Sequence, residues 1–144
     1  MGAQRMRMLK MVCIVAGVAA ALPATAELTD AQIAELYAKP SPFEQGRRDR
    51  WIAETENAFA VRDINPQSPV HLLVISKKRY PTLLQAPEAL LGEMMVLARR
   101  VAEEQGIARE GFRLVINTHP EGGQGVYHLH IHVLGGRHMR WPPG

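Results

Sequence analysis

The chain has 144 residues, 47% of them hydrophobic and 22% charged, enough for one domain with a substantial core and too few for two. Its formal charge of +3 comes from Arg5, Arg7 and Lys10 alone; from Glu27 onward 14 basic side chains stand against 14 acidic ones. Such a balance gives no polyanion-seeking surface, so no nucleic-acid partner is expected.

The first 26 residues read as a secretory signal. Met1 to Lys10 carries the three positive charges and no acid, Met11 to Leu22 is an apolar run of twelve, and Ala24-Thr25-Ala26 has the small residues of a cleavage site. Twelve apolar residues fall short of the roughly 20 that span a bilayer, so cleavage after Ala26 is expected and a stable membrane anchor is not. Cys13, the sole cysteine, lies inside the run without the context of a lipoprotein site. The cleaved chain then has no cysteine, which suits an oxidising compartment. Export, to a bacterial periplasm, is the expected localisation.

Residues 27–50 read as an N-terminal helix and linker. Thr29 or Asp30 can cap a short helix running to about Ala38, which Pro40 and Pro42 end. Arg47, Arg48, Asp49 and Arg50 form a charge cluster that could meet a phosphate, although a solvated loop is the plainer expectation. Residues 51–144 form the main domain. Here the period changes to two: Trp51 to Glu54 and Ala58 to Asp63 are strands around the polar turn Thr55-Glu56-Asn57. Asn65-Pro66-Gln67-Ser68-Pro69 is a rigid connection to a third strand, Val70 to Ser76. Pro87-Glu88 starts a long helix whose apolar stripe comprises Leu90, Leu91, Met94, Met95, Leu97, Ala98, Val101 and Ala102. At that spacing the methionines are core filling, and Gly106 stops the helix. Phe112 to Asn117 and Tyr127 to Leu134 are the fourth and fifth strands, separated by Glu121-Gly122-Gly123-Gln124-Gly125. The fold class is α+β: an antiparallel five-stranded sheet with one long helix and a short N-terminal one.

Chemistry concentrates in the fifth strand. His128, His130 and His132 occupy every second position, which sends three imidazoles to one face with neighbouring Cα atoms about 6.7 Å apart, while Leu129, Ile131 and Val133 face the opposite layer. A face needing only solubility would carry Thr, Lys or Glu. Three neutral imidazoles could bind zinc or copper. Alternatively one attacks phosphorus while its neighbours manage protons, a role suited to groups with an ordinary pKa near 6.5. The second reading is favoured by its surroundings: Gly122, Gly123 and Gly125 let backbone N–H groups approach an anion, and Gln124 and Asn117 add neutral polar contacts. His71, at the start of the third strand, could project into the same cleft or be a plain strand-end histidine.

Asn117, Gly122, Gln124, Val126 and His128-Leu-His130-Ile-His132-Val resemble the histidine-triad (HIT) signature of nucleotide hydrolases and transferases. More narrowly, Gly122 to Gly136 and the ending Trp141-Pro-Pro-Gly144 are similar to the Hint branch, and the resemblance runs from about Trp51 to Gly144. It implies that His130 is a nucleophile forming a nucleotidyl-imidazole intermediate that water then hydrolyses. His132 contacts the phosphoryl group and helps protonate the leaving group, while His128 orients the site and links with His71 in a proton relay. Asp63, beside Ile64, holds the ribose hydroxyls of a purine nucleotide or nucleoside phosphoramidate, as a carboxylate can. No metal or other cofactor is implied. The resemblance also implies a homodimer whose two sheets join into one, with Trp141 in a tail that reaches the partner's site.

This sequence departs from that pattern in three places. Gly125 stands where Hint proteins usually have a serine that touches the phosphate and leaving group, Ser76 replaces the usual proline after the third strand in what reads as a harmless change, and residues 38–50 differ from the segment that covers the base, leaving Phe43 as the candidate base contact. His119 and His138 are expected to be solvated loop residues without a role.

Overall fold

The computed structural model describes residues 27–44 and 48–143; residues 1–26, where a secretory signal is expected, and Arg47 lie outside the described residues. Helix α1 (Asp30–Ala38) starts where the sequence offers a cap: Thr29 Oγ1 accepts the Gln32 N–H at 3.3 Å, and Gln32 Oε1 accepts the Thr29 N–H at 2.9 Å. This reciprocal pair satisfies two N-terminal donors that the helix itself cannot. No residue of α1 is fully buried; Ile33, Leu36 and Tyr37 are half-buried, and the Tyr37 ring packs against His119 and Tyr127.

The alternating segments form strands β1 (Trp51–Glu54), β2 (Ala58–Arg62), β3 (Val70–Ser76), β4 (Arg113–Val115) and β5 (His130–Gly135), with helix α2 (Glu88–Glu104) between β3 and β4. The sheet order is β1-β2-β3-β5-β4, with every neighbouring pair antiparallel. The last strand in the chain is therefore an interior one. Its register sets Ile75 opposite His130 and Leu73 opposite His132, while Phe59 and Val61 of β2 lie opposite Ile75 and Leu73. Because opposed residues share a face, Phe59, Val61, Leu73, Ile75, His130 and His132 all project to one side.

The other side holds Ala58, Ala60, Leu72, Val74, Ile131 and Val133, which pack with Leu90, Met94, Leu97, Ala98, Val101 and Ala102 of α2 into the main core. Full burial of a side chain such as Leu97 or Met94 contributes about 1.5–3 kcal/mol. That core specifies register, since a one-residue slip of β5 would turn the histidines into it.

The boundaries differ from the periodicity in informative ways. Strand β5 begins at His130 rather than Tyr127, because the Leu129 N–H donates to Tyr80 O at 2.6 Å instead of continuing the ladder. Strand β4 is three residues long, paired only between Arg113 and Val115. Strand β2 ends at Arg62, one residue before Asp63. Met95 is 44% exposed and stands outside the buried stripe, about 100° around α2 from Met94.

Candidate functional site

The histidine face of the sheet floors a cavity of about 590 Å³, of a size with small-molecule sites. Its apolar wall is a second cluster, Phe59, Leu73 and Ile75 with Phe43, Trp51 and Val61 packed against them. Trp51 stacks on Phe59 at 4.1 Å between ring centroids and 13° between planes. Beside it on the same sheet face lie His130 and His132, with Asp63, Ile64 and Val126 also on the lining. The predicted residues Asn117, Gly123, Gln124, Gly125 and Trp141 do not line it, and Trp141 is 85% exposed.

Backbone carbonyls decide where the ring protons sit. His130 Nδ1 lies 2.7 Å from His128 O, and a carbonyl only accepts, so Nδ1 carries the proton and Nε2 keeps its lone pair. His128 Nε2 lies 2.7 Å from Ser76 O and carries its proton by the same argument. Its Nδ1 then accepts from the Ser41 hydroxyl at 2.8 Å. Burial lowers the pKa of both rings, opposed by these carbonyl contacts, so both are neutral at pH 7.

The third and fourth histidines form a separate pair. The Gln67 N–H donates to His71 Nδ1 at 3.0 Å, which leaves the His71 proton on Nε2. That N–H points to His132 Nδ1 at 2.9 Å and lies 3.3 Å from Asp63 Oδ2. His132 consequently bears its proton on Nε2. Burial, and then the neighbouring His130 and His71, push its pKa down to about 4. His71 is lowered by burial against the pull of the Asp63 carboxylate. The expected His128–His71 relay is thus corrected: His71 pairs with His132, while His128 is bonded to Ser41 and Ser76.

Asp63, His71 and His132 offer three ligand atoms within 4.8 Å of one another, the one such group among the described residues. A cation on His71 Nε2 would have to displace the ring proton, which cannot move to Nδ1 because that nitrogen accepts the Gln67 N–H, so this donor set is arranged as a hydrogen-bond chain. Asp63 Oδ1 accepts the Asn65 N–H at 2.7 Å, which orients the carboxylate at the cavity edge.

The glycine-rich loop before the triad is tightly built. A Cβ at Gly122 would come 2.3 Å from Thr118 O, and Gly123 has φ +74. Gln124 is buried with its amide used internally: Nε2 donates to Pro81 O and Val126 O, and Oε1 accepts the His119 N–H. Its side chain therefore shapes the loop instead of offering the anion contact expected of it. Gly125 has open space where a Cβ would stand.

Several contributors carried no local signal. Ser41 sits in a proline-flanked linker, and only the tertiary fold brings it to His128. Ser76 does more than fill a harmless position: its N–H donates to Leu129 O at 3.2 Å, a bond proline could not make, and its carbonyl orients His128. Arg79 donates to Tyr127 O at 3.2 Å, to Tyr37 O at 2.8 Å and to Lys39 O, and pairs with Glu44. His119 is not a free loop residue, since its Nε2 lies 2.8 Å from the Tyr37 hydroxyl. Arg48 and Arg50 also depart from a purely solvated loop: Arg48 covers the Trp51 ring and Arg50 lines the cavity. Phe43 meets His128 and His130 edge-on, at 5.6 and 5.3 Å between centroids.

The family model of the HIT domain matches residues 45–139. An uncharacterized HIT-like protein of Synechococcus elongatus is 50% identical over 96 residues, covering 65% of this chain and 83% of that protein. An Arabidopsis thaliana protein named adenylylsulfatase HINT1 is 48% identical over 98 residues, 65% of this chain and 66% of that protein. Among solved structures, a HIT family hydrolase from Legionella pneumophila is similar with a TM-score of 0.63 and 44% identity, covering 66% of this chain and 88% of that one. A histidine triad protein from Clostridium difficile is similar with a TM-score of 0.60 and 30% identity, over 80% of this chain and 97% of that one.

Proposed function

The chain belongs to the HIT family, and within it we propose a nucleotide hydrolase that cleaves nucleoside 5′-phosphoramidates at the P–N bond, through a covalent adduct on His130. The observation that carries this reading is the 2.7 Å contact of His130 Nδ1 with the His128 carbonyl, in a ring that lines the cavity. It leaves Nε2 unprotonated as the nucleophile and gives the cationic adduct a carbonyl to lean on. Attack on the α-phosphorus forms the P–Nε2 bond as the bond to the leaving amine breaks. Neutral His132 donates an Nε2–H hydrogen bond to the phosphoryl oxygens and the leaving nitrogen, and that nitrogen takes its proton from solvent, which recovers it when water hydrolyses the adduct. Water then releases a nucleoside monophosphate. The aromatic wall suits a base, and Asp63 suits a ribose diol.

The test is a His130→Gly variant, which should keep nucleotide affinity and lose hydrolysis, while mass spectrometry of the quenched parent enzyme should find one nucleotidyl group on His130. Equal rates in variant and parent would end the proposal. Chelation should leave the rate unchanged.

A second substrate class, nucleoside phosphosulfates, has a specific observation in its favour. A relative 48% identical to this chain is named an adenylylsulfatase, and sulfate leaves phosphorus without needing a proton. Gly125 supplies no hydroxyl for a leaving group, which matters less for sulfate than for an amine. Nucleoside monophosphate release from the two substrates, measured side by side, separates the readings.

We further propose export of the protein and assembly as a homodimer. The three-part leader supports the first, and the N-terminal mass of secreted protein tests it. In favour of the second are the edge position of β4 and the exposed Met95 and Val96 on α2.

A further inference from the structure

The segment Tyr37–Glu44 reaches the triad from outside the sheet. It is tied down by Arg79 at the carbonyls of Tyr37 and Lys39 and at the carboxylate of Glu44, and by the Tyr37–His119 contact. Between these ties Ser41 is 4% exposed in a chain whose neighbouring linker residues Lys39 and Pro40 are exposed. Its Oγ accepts the Phe43 N–H at 3.1 Å, which fixes the oxygen in place, and its own proton goes to His128 Nδ1 at 2.8 Å.

A serine has one hydroxyl proton and His128 has two ring nitrogens; each group here finds its complement. The ring is 1% exposed and gripped at both ends, by Ser41 on Nδ1 and by Ser76 O on Nε2. A histidine so held cannot turn about its own χ angles without leaving a buried donor or acceptor unmet, at the cost of at least one hydrogen bond. Its backbone is held with it, and that backbone supplies the carbonyl on which the His130 Nδ1–H rests. Phe43, two residues from Ser41, closes the same unit by packing edge-on against both rings.

We propose that Ser41 is a positioning residue for the nucleophile: its hydroxyl locks the His128 ring, and through the His128 carbonyl it holds the His130 ring in its attacking tautomer and direction. The N-terminal segment is thereby part of the active site and not a linker to it. The inference rests on His130 acting as the nucleophile only for its kinetic consequence; the hydrogen-bond chain can be read without any substrate.

The closing experiment has both readouts. In the parent protein, two-dimensional ¹H–¹⁵N spectra of the histidine rings should show His128 with a protonated Nε2 and a hydrogen-bonded Nδ1, and His130 with a protonated Nδ1. Ser41→Ala should move the His128 Nδ1 resonance towards that of a free ring nitrogen, speed solvent exchange of the His130 Nδ1–H, and lower kcat about tenfold while KM changes less than about twofold. Ser41→Thr keeps the hydroxyl and should restore both. Ser41→Cys conserves volume with a weak donor, so it covers the case in which alanine fails to fold and should give the same His128 shift. Unchanged ring resonances and kcat in folded Ser41→Ala or Ser41→Cys overturn the proposal, as does a loss of activity in Ser41→Thr equal to that in Ser41→Ala. If the spectra respond as stated while the parent hydrolyses neither nucleotide substrate, the hydrolase reading fails and the positioning does not.

Discussion

At the scale of single residues, the site is defined by which nitrogen of each ring holds its proton. Gln67, Ser76 and the His128 carbonyl assign three of them, and the fourth, on His132, follows from its partner. All four rings titrate below the ordinary histidine value, with burial the largest cause each time. A nucleophilic His130 must be neutral, so kcat/KM should hold its plateau below pH 6.5, near the free-histidine value, and fall only in more acid solution. An acid limb at or above 6.5 contradicts this. The unfolded chain takes up protons at these rings before the folded one does. Full stability is therefore present above about pH 6.5 and is lost as the pH falls towards about 4, the value for His132, which Tm against pH will display. At Gly125 a side chain meets open space, so Gly125→Ser should fold normally. If the proposed function holds, it adds the hydroxyl that Hint proteins usually carry at this position and should raise phosphoramidate turnover about three- to tenfold, with less effect on phosphosulfate; equal gains on both substrates would refute a leaving-group role.

At the scale of elements, α1 and the segment after it are held by the packing of the Tyr37 ring on His119 and Tyr127 and by polar contacts, several of which converge on Arg79. No α1 side chain is buried, whereas Arg79 bonds the carbonyls of Tyr37, Lys39 and Tyr127. A cationic donor to a carbonyl contributes about 1.5–3 kcal/mol, more than an isolated surface ion pair does. Arg79→Met should therefore release the N-terminal segment selectively: proteases should cut near residues 37–44 faster, and kcat should drop, while the far-ultraviolet signal of the sheet and α2 persists. An unaltered cleavage pattern would show that other contacts suffice. His119 belongs to the same assembly. It has φ +60, which is uncommon outside glycine, and its N–H and its ring are both bonded, to Gln124 and Tyr37. The glycine loop and α1 are thus built against each other, ahead of the strand that carries His130 and His132.

At the scale of the whole molecule, one antiparallel sheet separates a core from a cavity. Alpha-helix α2 covers the face of Leu72, Val74, Ile131 and Val133, and the opposite face carries aromatic, aliphatic and histidine side chains around an open site. If the proposed dimer forms through β4, sedimentation equilibrium should give twice the chain mass, and Leu114→Pro, which removes an edge-strand N–H, should shift the protein towards monomer. A parent protein that sediments as a monomer removes that proposal. Alternation disclosed the strand and the shared face of His130 and His132, though not that His128 lies ahead of the strand, and the stripe from Leu90 to Ala102 disclosed α2, because period and face are local properties of the chain. The cap at Thr29 was legible for the same reason. What local pattern could not carry was partnership across the chain: His71 with His132 over 61 residues, Ser41 with His128 over 87, Arg79 with the carbonyls of Tyr37 in α1 and Lys39 just after it. A hydrogen bond between distant segments has no period, and only the packing of α2 and the sheet decides which donor meets which acceptor.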